Sequence, residues 1–444
     1  MNVCSHDSVL KLAELLRTKQ ISAEELVHFY LDRIRKYDGA ADLNTIAELN
    51  SDVLRQAREI DSLPFDKRGA LSGIPVLIKD NIDVSGLHTT AGSIALSDNI
   101  AKTDAPVVAR LRQNGALILG KTNMTEFANY TTQNMPNGFS SHGGQVKNAY
   151  DREKDASGSS TGSAVAVSAG LCAAAIGTDT SFSVVGCATE NGVTGYKPPH
   201  GTFSNDGIIP ISRTLDSAGL LTRDVSDTLF LYNAMRDTPI DIKPSKPEAI
   251  RLAVNTYNRI EVSDKQLQKY EMVLQALRDD GGHVSEVSHP HTSHQKVIMR
   301  CEFRHDLEQY LKYSLSKLKT LEEIIAQYEA NPQYMPYGIS YLRDALDNAT
   351  GNLDGDEYIA ALEERCSISA KLSADLSGYD AVLMTGPTNV MHFVGFPSVA
   401  LRLGMSENGH PRGMILYGSD ERRLLSAALT LEQYCAQVPP PQMG

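Results

Sequence analysis

The sequence predicts an α/β fold, in which a large sheet is covered by helices on both faces. Residues 74–79 and 116–120 are continuous apolar runs, as expected of strands that are buried on both sides. Helical periodicity occupies neighbouring segments such as residues 103–114. The chain has 444 residues, of which 41% are hydrophobic and 22% are charged, and this is enough for a large core.

The elements follow one another in a regular order along the first half of the chain. Residues 7–37 predict helices, with Ser22 suited to cap the second of them. Residues 43–57 predict a short apolar run followed by a helix, and residues 163–175 predict a helix rich in alanine. This alternation of strands and helices supports the α/β prediction.

Residues 240–375 differ from what precedes them, because they are charged and rich in helical periodicity. The predicted helices cover residues 265–278, 302–318, 321–331 and 355–376. Strand patterns then return at 381–384, 397–403 and 414–417, and an amphipathic helix covers 421–437. We expect one domain over residues 1–444, with a core at about 60–235, a helix-rich region at about 240–375, and C-terminal strands and a helix at about 378–437 that rejoin the core.

Charge and composition exclude several classes of function. The net charge of −12 disfavours nucleic acid or an anionic membrane as a partner, although a local basic patch stays compatible with it. The sequence shows neither a signal peptide nor an apolar run of membrane-spanning length, so a cytoplasmic protein is expected. The histidines between His283 and His294 lack the spacing of a defined metal site, and no metal is expected there. A homodimer is left open.

Three separate segments carry serine or lysine side chains that can act in catalysis. Lys79 ends an apolar strand, a Gly/Ser-rich loop surrounds Ser159, and Ser183 follows a turn after a second apolar segment. Serine and lysine together can activate a hydroxyl nucleophile without histidine. Taken singly, each segment also has a structural interpretation: a loop that allows close packing, an ordinary loop serine, and a lysine where a strand leaves the core.

Segments spread over nearly the whole chain, in this order, resemble the amidase signature family. The resemblance is weakest over residues 240–375. It is carried by residues 73–81, 120–127, 158–163, 177–183, 195–198, 207–210, 215–219, 395–398 and 432–433.

The resemblance implies a mixed twisted sheet and hydrolysis of a carbon–nitrogen bond other than a peptide bond, in a small-molecule amide and without a cofactor. Ser183 would be the nucleophile, Ser159 the bridging serine after a cis Gly158–Ser159 peptide, and Lys79 the base. The same resemblance implies a set of supporting residues. The backbone N–H groups of Thr180, Ser181, Phe182 and Ser183 would bind the oxyanion. Ser160 and Asp179 would contact these catalytic residues without contacting the substrate.

Two departures from the family pattern leave alternatives open. The family usually has Gly directly before the nucleophile and Arg two residues after it, where this chain has Phe182 and Val185. We expect altered substrate or acceptor choice rather than loss of activity, because Lys79, Ser159 and Ser183 are all present. The alternatives are an amide-forming acyltransferase, the glutamine-hydrolysing subunit of a tRNA-dependent amidotransferase, and a catalytically impaired binding or scaffold protein.

Overall fold

The structure is a computed structural model, and it describes residues 3–39, 42–349 and 351–443. The α-helices in this part of the chain are α1 Val9–Arg17, α2 Ala23–Tyr37, α3 Val53–Ser62, α4 Pro106–Gln113, α5 Thr161–Ser168, α6 Val185–Asn191, α7 Val225–Met235, α8 Asp264–Asp279, α9 His294–Tyr313, α10 Leu321–Ala330, α11 Ser340–Asp347, α12 Asp356–Leu376, α13 Val390–Val394 and α14 Glu421–Leu431. The strands are β1 Ile46–Leu49, β2 Pro75–Lys79, β3 Leu117–Thr122, β4 Phe139–Ser140, β5 Gly144–Gln145, β6 Ala174–Asp179, β7 Thr194–Lys197, β8 Ser217–Thr222, β9 Arg251–Asn255, β10 His283–Val287, β11 Ala381–Met384, β12 Ser398–Met405 and β13 Pro411–Tyr417.

One eleven-stranded sheet runs through the molecule in the order β1-β3-β2-β6-β8-β7-β12-β13-β11-β9-β10. Strand β2 is parallel to both β3 and β6, and β9 is parallel to both β10 and β11. The other neighbours are antiparallel. The fold is therefore mixed α/β, as the sequence predicts.

The C-terminal strands rejoin the sheet as expected. Strand β12 pairs with β7, with Ser398 opposite Lys197, and β13 and β11 continue the sheet from there. Strands β9 and β10, which lie inside the helix-rich region, also join the sheet and were not predicted. Strand β10 has only half-buried and exposed positions because it forms the edge, so its sequence carries no apolar run.

The alanine-rich helix is shorter than residues 163–175. Helix α5 ends at Ser168, and residues 174–175 already belong to β6. Gly170, just beyond the end of the helix, has a φ of +67°, in the left-handed region that glycine adopts most readily. The sequence does not reveal where the helix ends and β6 begins, because a buried helix and a buried strand are both continuous apolar runs here.

Strand ends place the predicted site residues at one edge of the sheet. Strands β2 and β6 are parallel neighbours, so their carboxyl ends meet at the same edge. Lys79 ends β2 and Asp179 ends β6, and α5 begins directly after Ser160. Every residue of these three elements is buried. Within residues 3–39, 42–349 and 351–443, no helix is both long and apolar enough to cross a membrane.

Candidate active site

Lys79 is fully buried at the end of β2, and its ammonium is held by short contacts. Its Nζ donates to Ser159 Oγ at 2.7 Å, to Thr178 Oγ1 at 2.9 Å and to the Thr178 carbonyl oxygen at 3.3 Å. Burial lowers the pKa of Lys79 to about 7, although Cys187, Asp179 and Asp216 act to raise it. The amine can therefore lose its proton near neutral pH and then act as a base.

Ser159 lies between Lys79 and Ser183. The peptide between Gly158 and Ser159 is cis. Ser159 Oγ donates to Ser183 Oγ at 3.1 Å, so a continuous hydrogen-bonded chain runs from the amine to the second serine. Position 158 needs glycine, because a Cβ there would meet Thr125 Oγ1 at 2.5 Å.

Ser160 ties the Gly/Ser loop to the nucleophile segment. Its backbone N–H donates to the Ser183 carbonyl oxygen at 3.2 Å. Its hydroxyl donates to the Thr178 carbonyl oxygen at 3.1 Å and accepts from the Thr178 N–H at 3.3 Å. The loop that carries Ser159 is thus joined to the residues on both sides of the β6 end.

Residues 179–183, which we call the nucleophile turn, leave the end of β6. In the described part of the chain, the N–H groups of Thr180, Ser181, Phe182 and Ser183 donate no hydrogen bond to another protein group. Successive free N–H groups in a turn form a concave site for an anion. Phe182 has a φ of +71°, so this turn adopts the left-handed conformation at the position where glycine was expected.

Asp179 anchors this turn from inside the core. Its Oδ2 accepts from the backbone N–H groups of Val184 at 2.7 Å and Val185 at 3.2 Å. Its Oδ1 lies 3.2 Å from Nδ1 of His392, and neither side chain has exposed surface. Burial acts to raise the pKa of Asp179, but the adjacent His392, the charge of Lys197 and the hydrogen bond from the Val184 N–H outweigh it and lower this pKa to about 2.

Some residues around the site were missed or left without a role by sequence reasoning. Thr178 binds Lys79, and Asn81 Nδ2 donates to Thr178 Oγ1 at 3.1 Å. Thr180 Oγ1 donates to Asp216 Oδ1 at 2.5 Å, and Gln295 Nε2 donates to the Thr180 carbonyl oxygen at 3.0 Å. Asn81 and Asp216 lie inside segments that carry the family resemblance, which could have marked them. Gln295 and His392 have no such signal.

The described residues contain no group of three or more His, Cys, Asp or Glu side chains placed to hold a metal ion. Two histidines of the 283–294 tract have other partners. His289 Nδ1 lies 2.9 Å from the Tyr417 hydroxyl, and His294 pairs with Glu364. The groups at the site that can take part in chemistry are the Lys79–Ser159–Ser183 chain and the free N–H groups beside it.

Known proteins match this chain along most of its length. The family model described as Amidase matches residues 25–392. A probable amidase of Arabidopsis thaliana, At4g34880, is 31% identical over 96% of this chain and 89% of its own length. A glutamyl-tRNA(Gln) amidotransferase subunit from Caldanaerobacter subterraneus subsp. tengcongensis is 29% identical over 96% of both chains.

The fold is also found in a solved structure. The peptide amidase of Stenotrophomonas maltophilia superimposes with a TM-score of 0.89 at 30% sequence identity, covering 98% of both chains. The match therefore extends through the helix-rich region, where the sequence resemblance is weakest. With the family model spanning residues 25–392, this chain belongs to the amidase family.

Proposed function

We propose that this protein hydrolyses the carbon–nitrogen bond of a small-molecule amide through an acyl-enzyme on Ser183. The observation that carries the proposal is the hydrogen-bonded chain from Lys79 through Ser159 to Ser183. A buried lysine with a pKa of about 7 is suited to the role of base, because near neutral pH a large share of it is unprotonated.

The first half-reaction forms the acyl-enzyme. Neutral Lys79 takes the proton of Ser159, and Ser159 takes the proton of Ser183 as Ser183 Oγ bonds to the amide carbonyl carbon. Both hydroxyls can rotate, so the two observed contacts serve transfer in this direction. The negative charge that develops on the carbonyl oxygen is bound by the free N–H groups of the nucleophile turn. The C–N bond then breaks, and the amine leaves with the proton returned from Lys79 through Ser159.

The second half-reaction releases the acid. Water loses a proton to Lys79 through Ser159 and attacks the ester carbonyl carbon. The bond to Ser183 Oγ breaks, Ser183 regains its proton, and the carboxylic acid leaves. An amine in place of water would give an amide, which is the acyltransferase alternative. Hydrolysis is the proposal because the family and the peptide amidase that this chain resembles are described as amidases.

Phe182 does not argue against activity. The turn carries it at a φ of +71°, and the Lys79–Ser159–Ser183 contacts are complete in its presence. Phe182 and Ser181 are half-buried, whereas Ser183 is buried, so we propose that substrate approaches Ser183 past Phe182. A large side chain at that place would limit the size of the acyl group that can reach Ser183. Phe182 therefore supports an enzyme with fewer substrates rather than a protein without activity.

The test is intact-mass measurement after exposure to a fluorophosphonate probe. A phosphorus–oxygen bond to Ser183 forms as the phosphorus–fluorine bond breaks, so one adduct is expected on the wild type and none on Ser183→Ala. Lys79→Ala should label more slowly. Ser163→Ala is the matched control, because Ser163 is buried in α5 and its hydroxyl bonds to Thr122 and the Ile176 carbonyl oxygen, away from Ser183. Absence of an adduct on folded wild type would contradict the proposal.

A substrate panel follows from the same proposal. It contains small carboxamides, C-terminally amidated dipeptides and glutamine, with release of ammonia or amine as the readout. The dipeptide amides are included because of the likeness to a peptide amidase, and glutamine because of the likeness to amidotransferase subunits. Hydrolysis of glutamine alone would move the proposal to the amidotransferase class.

A further inference from the structure

His392 reaches the nucleophile turn from the C-terminal half of the sheet. It lies on α13 and is 1% exposed. Its ring packs edge-on against Phe182, with ring centres 4.4 Å apart and an interplanar angle of 66°. Its Nδ1 lies 3.2 Å from Asp179 Oδ1. One side chain therefore contacts both the first residue of the turn and the residue directly before Ser183.

Asp179 converts this contact into a constraint on the backbone around Ser183. One carboxylate oxygen accepts the N–H groups of Val184 and Val185, the two residues that follow Ser183. The other oxygen has no hydrogen-bond partner in the described part of the chain, and His392 Nδ1 lies 3.2 Å from it without the alignment of a hydrogen bond. A buried carboxylate is costly to leave without a polar neighbour.

Helix α13 is held firmly against the same turn. Asn389, directly before α13, donates from Nδ2 to Gln295 Oε1 at 2.6 Å and to the Thr292 carbonyl oxygen at 2.8 Å. Gln295 in turn donates to the carbonyl oxygen of Thr180, inside the nucleophile turn. His392 is thus fixed relative to the turn through a second, independent route.

Basic side chains other than His392 also lie in this region. Lys79 and Lys197 are buried and interact electrostatically with Asp179, and Arg365 on α12 donates from Nε to the Phe393 carbonyl oxygen at 2.6 Å. In the described residues, His392 is the basic side chain with a nitrogen at 3.2 Å from an Asp179 oxygen. Position 185, where the family pattern places arginine, is valine here, so no cation follows Ser183 directly.

We propose that His392 is a positioning residue for Ser183. Its Nδ1 faces the buried carboxylate of Asp179 and its ring supports Phe182, so that together these contacts hold the nucleophile turn with its N–H groups free for the oxyanion. The proposal rests on the proposed acyl-enzyme function. It predicts that a nitrogen facing Asp179 is needed for the chemical step and that His392 takes no part in binding substrate.

The test compares two variants of similar length that differ in charge, His392→Lys and His392→Met. The readouts are the second-order rate constant for fluorophosphonate labelling of Ser183, and kcat and KM for the best amide of the panel. His392→Met should lower labelling and kcat by about tenfold to a hundredfold, because a displacement of about 1 Å at reacting groups costs this much, with KM changed less than about threefold. His392→Lys should keep both rates within about fivefold of wild type, because its ammonium places N–H donors beside Asp179.

His289→Met is the matched control, since His289 is a buried histidine whose contacts are with Tyr417 and Asn255 and not with the turn. It should label at the wild-type rate. Equal rates for His392→Lys and His392→Met would overturn the role of the contact with Asp179 while the acyl-enzyme function stands. If His392→Met does not fold, His392→Leu gives the same comparison, and an undiminished rate in it overturns the proposal. A wild type that does not label overturns the proposed function and this inference with it.

Discussion

Lys79 Nζ lies 2.7 Å from Ser159 Oγ, at the end of a strand whose every residue is buried. The same burial that positions the lysine also makes its charged form costly, and this lowers its pKa to about 7. A strand end that delivers lysine into the core therefore supplies both the geometry and the protonation state that a base requires.

The first prediction is a pH dependence of kcat/KM. Lys79 acts as a base only when neutral, so activity on an amide should rise as the pH increases through about 7 and level off above it. Below the pKa the slope should approach about tenfold per pH unit, because one proton must be lost. The measurement is the kcat/KM profile of wild type, with the residual activity of Lys79→Ala as control. A flat profile from acid to alkaline pH would contradict the assignment of the base.

The second prediction concerns the bridging hydroxyl. Ser159→Ala removes the atom that joins Lys79 Nζ to Ser183 Oγ, and kcat should fall by about two to four orders of magnitude, the range for loss of general acid–base catalysis. Ser163→Ala is the control, because it removes a buried hydroxyl from the same segment without touching the chain. Equal kcat values for the two variants would show that proton transfer takes another route.

Sequence reasoning singled out Lys79, Ser159 and Ser183 through the resemblance to the amidase signature family, and the structure brings the three side chains into one hydrogen-bonded chain. The start of α9 at His294 and the two strands β9 and β10 were not predicted, since the resemblance is weakest between residues 240 and 375 and the periodicity there indicated helices alone. His392 was missed for a different reason. Its contact with Asp179 joins residues more than 200 positions apart, which the tertiary fold brings together through the pairing of β12 with β7 and the hydrogen bonds of Asn389 and Gln295.

Some expectations stay predictions. The domain boundaries near residues 240 and 375, a cytoplasmic location and a homodimer rest on sequence alone. The site roles rest on geometry, and the labelling experiment is their test. Sequence reasoning reached Lys79, Ser159 and Ser183 through the resemblance to the amidase signature family. The structure adds that β2 and β6 are parallel neighbours and so end at the same edge of the sheet.

The third prediction is a pH-dependent gain in stability for Glu126→Gln. Glu126 is fully buried, its Oε2 accepts the Ser141 N–H at 2.6 Å, and its Oε1 accepts the Tyr328 hydroxyl. Burial raises the pKa of Glu126 to about 7, although these hydrogen bonds act to lower it. The folded state therefore binds a proton that the unfolded state, with a pKa near 4.5, has lost.

The sign follows from this difference. The folded state is stabilised because it binds the Glu126 proton more tightly than the unfolded state does. This stabilisation is fully present below pH 4.5 and is lost as the pH rises through about 7. Glutamine cannot ionise, so Glu126→Gln should gain in Tm relative to wild type at pH 8 and show a smaller gain, or a loss, at pH 5. Thermal unfolding at the two pH values checks this. A Tm difference that is the same at both would contradict the raised pKa.

The last prediction concerns the left-handed turn before Ser183. Phe182 has a φ of +71°, where any side chain with a Cβ is disfavoured and glycine is not. Phe182→Gly and Phe182→Ala both remove the ring that packs against His392, so their difference isolates the backbone. The glycine variant should be the more stable by about 1 kcal/mol, measured as free energy of unfolding in denaturant.

The matched control for this comparison is Phe303, which is buried within α9 and has helical backbone. There the order should reverse, with alanine more stable than glycine by about 1 kcal/mol, because glycine is the poorer residue inside a helix. The difference in unfolding free energy between the glycine and alanine variants should thus have opposite signs at the two phenylalanines. Loss of an aromatic ring is common to both positions, so the opposite signs would identify an effect of the backbone. Alanine more stable than glycine at both positions would mean that the turn before Ser183 relaxes out of the left-handed region once the ring is removed.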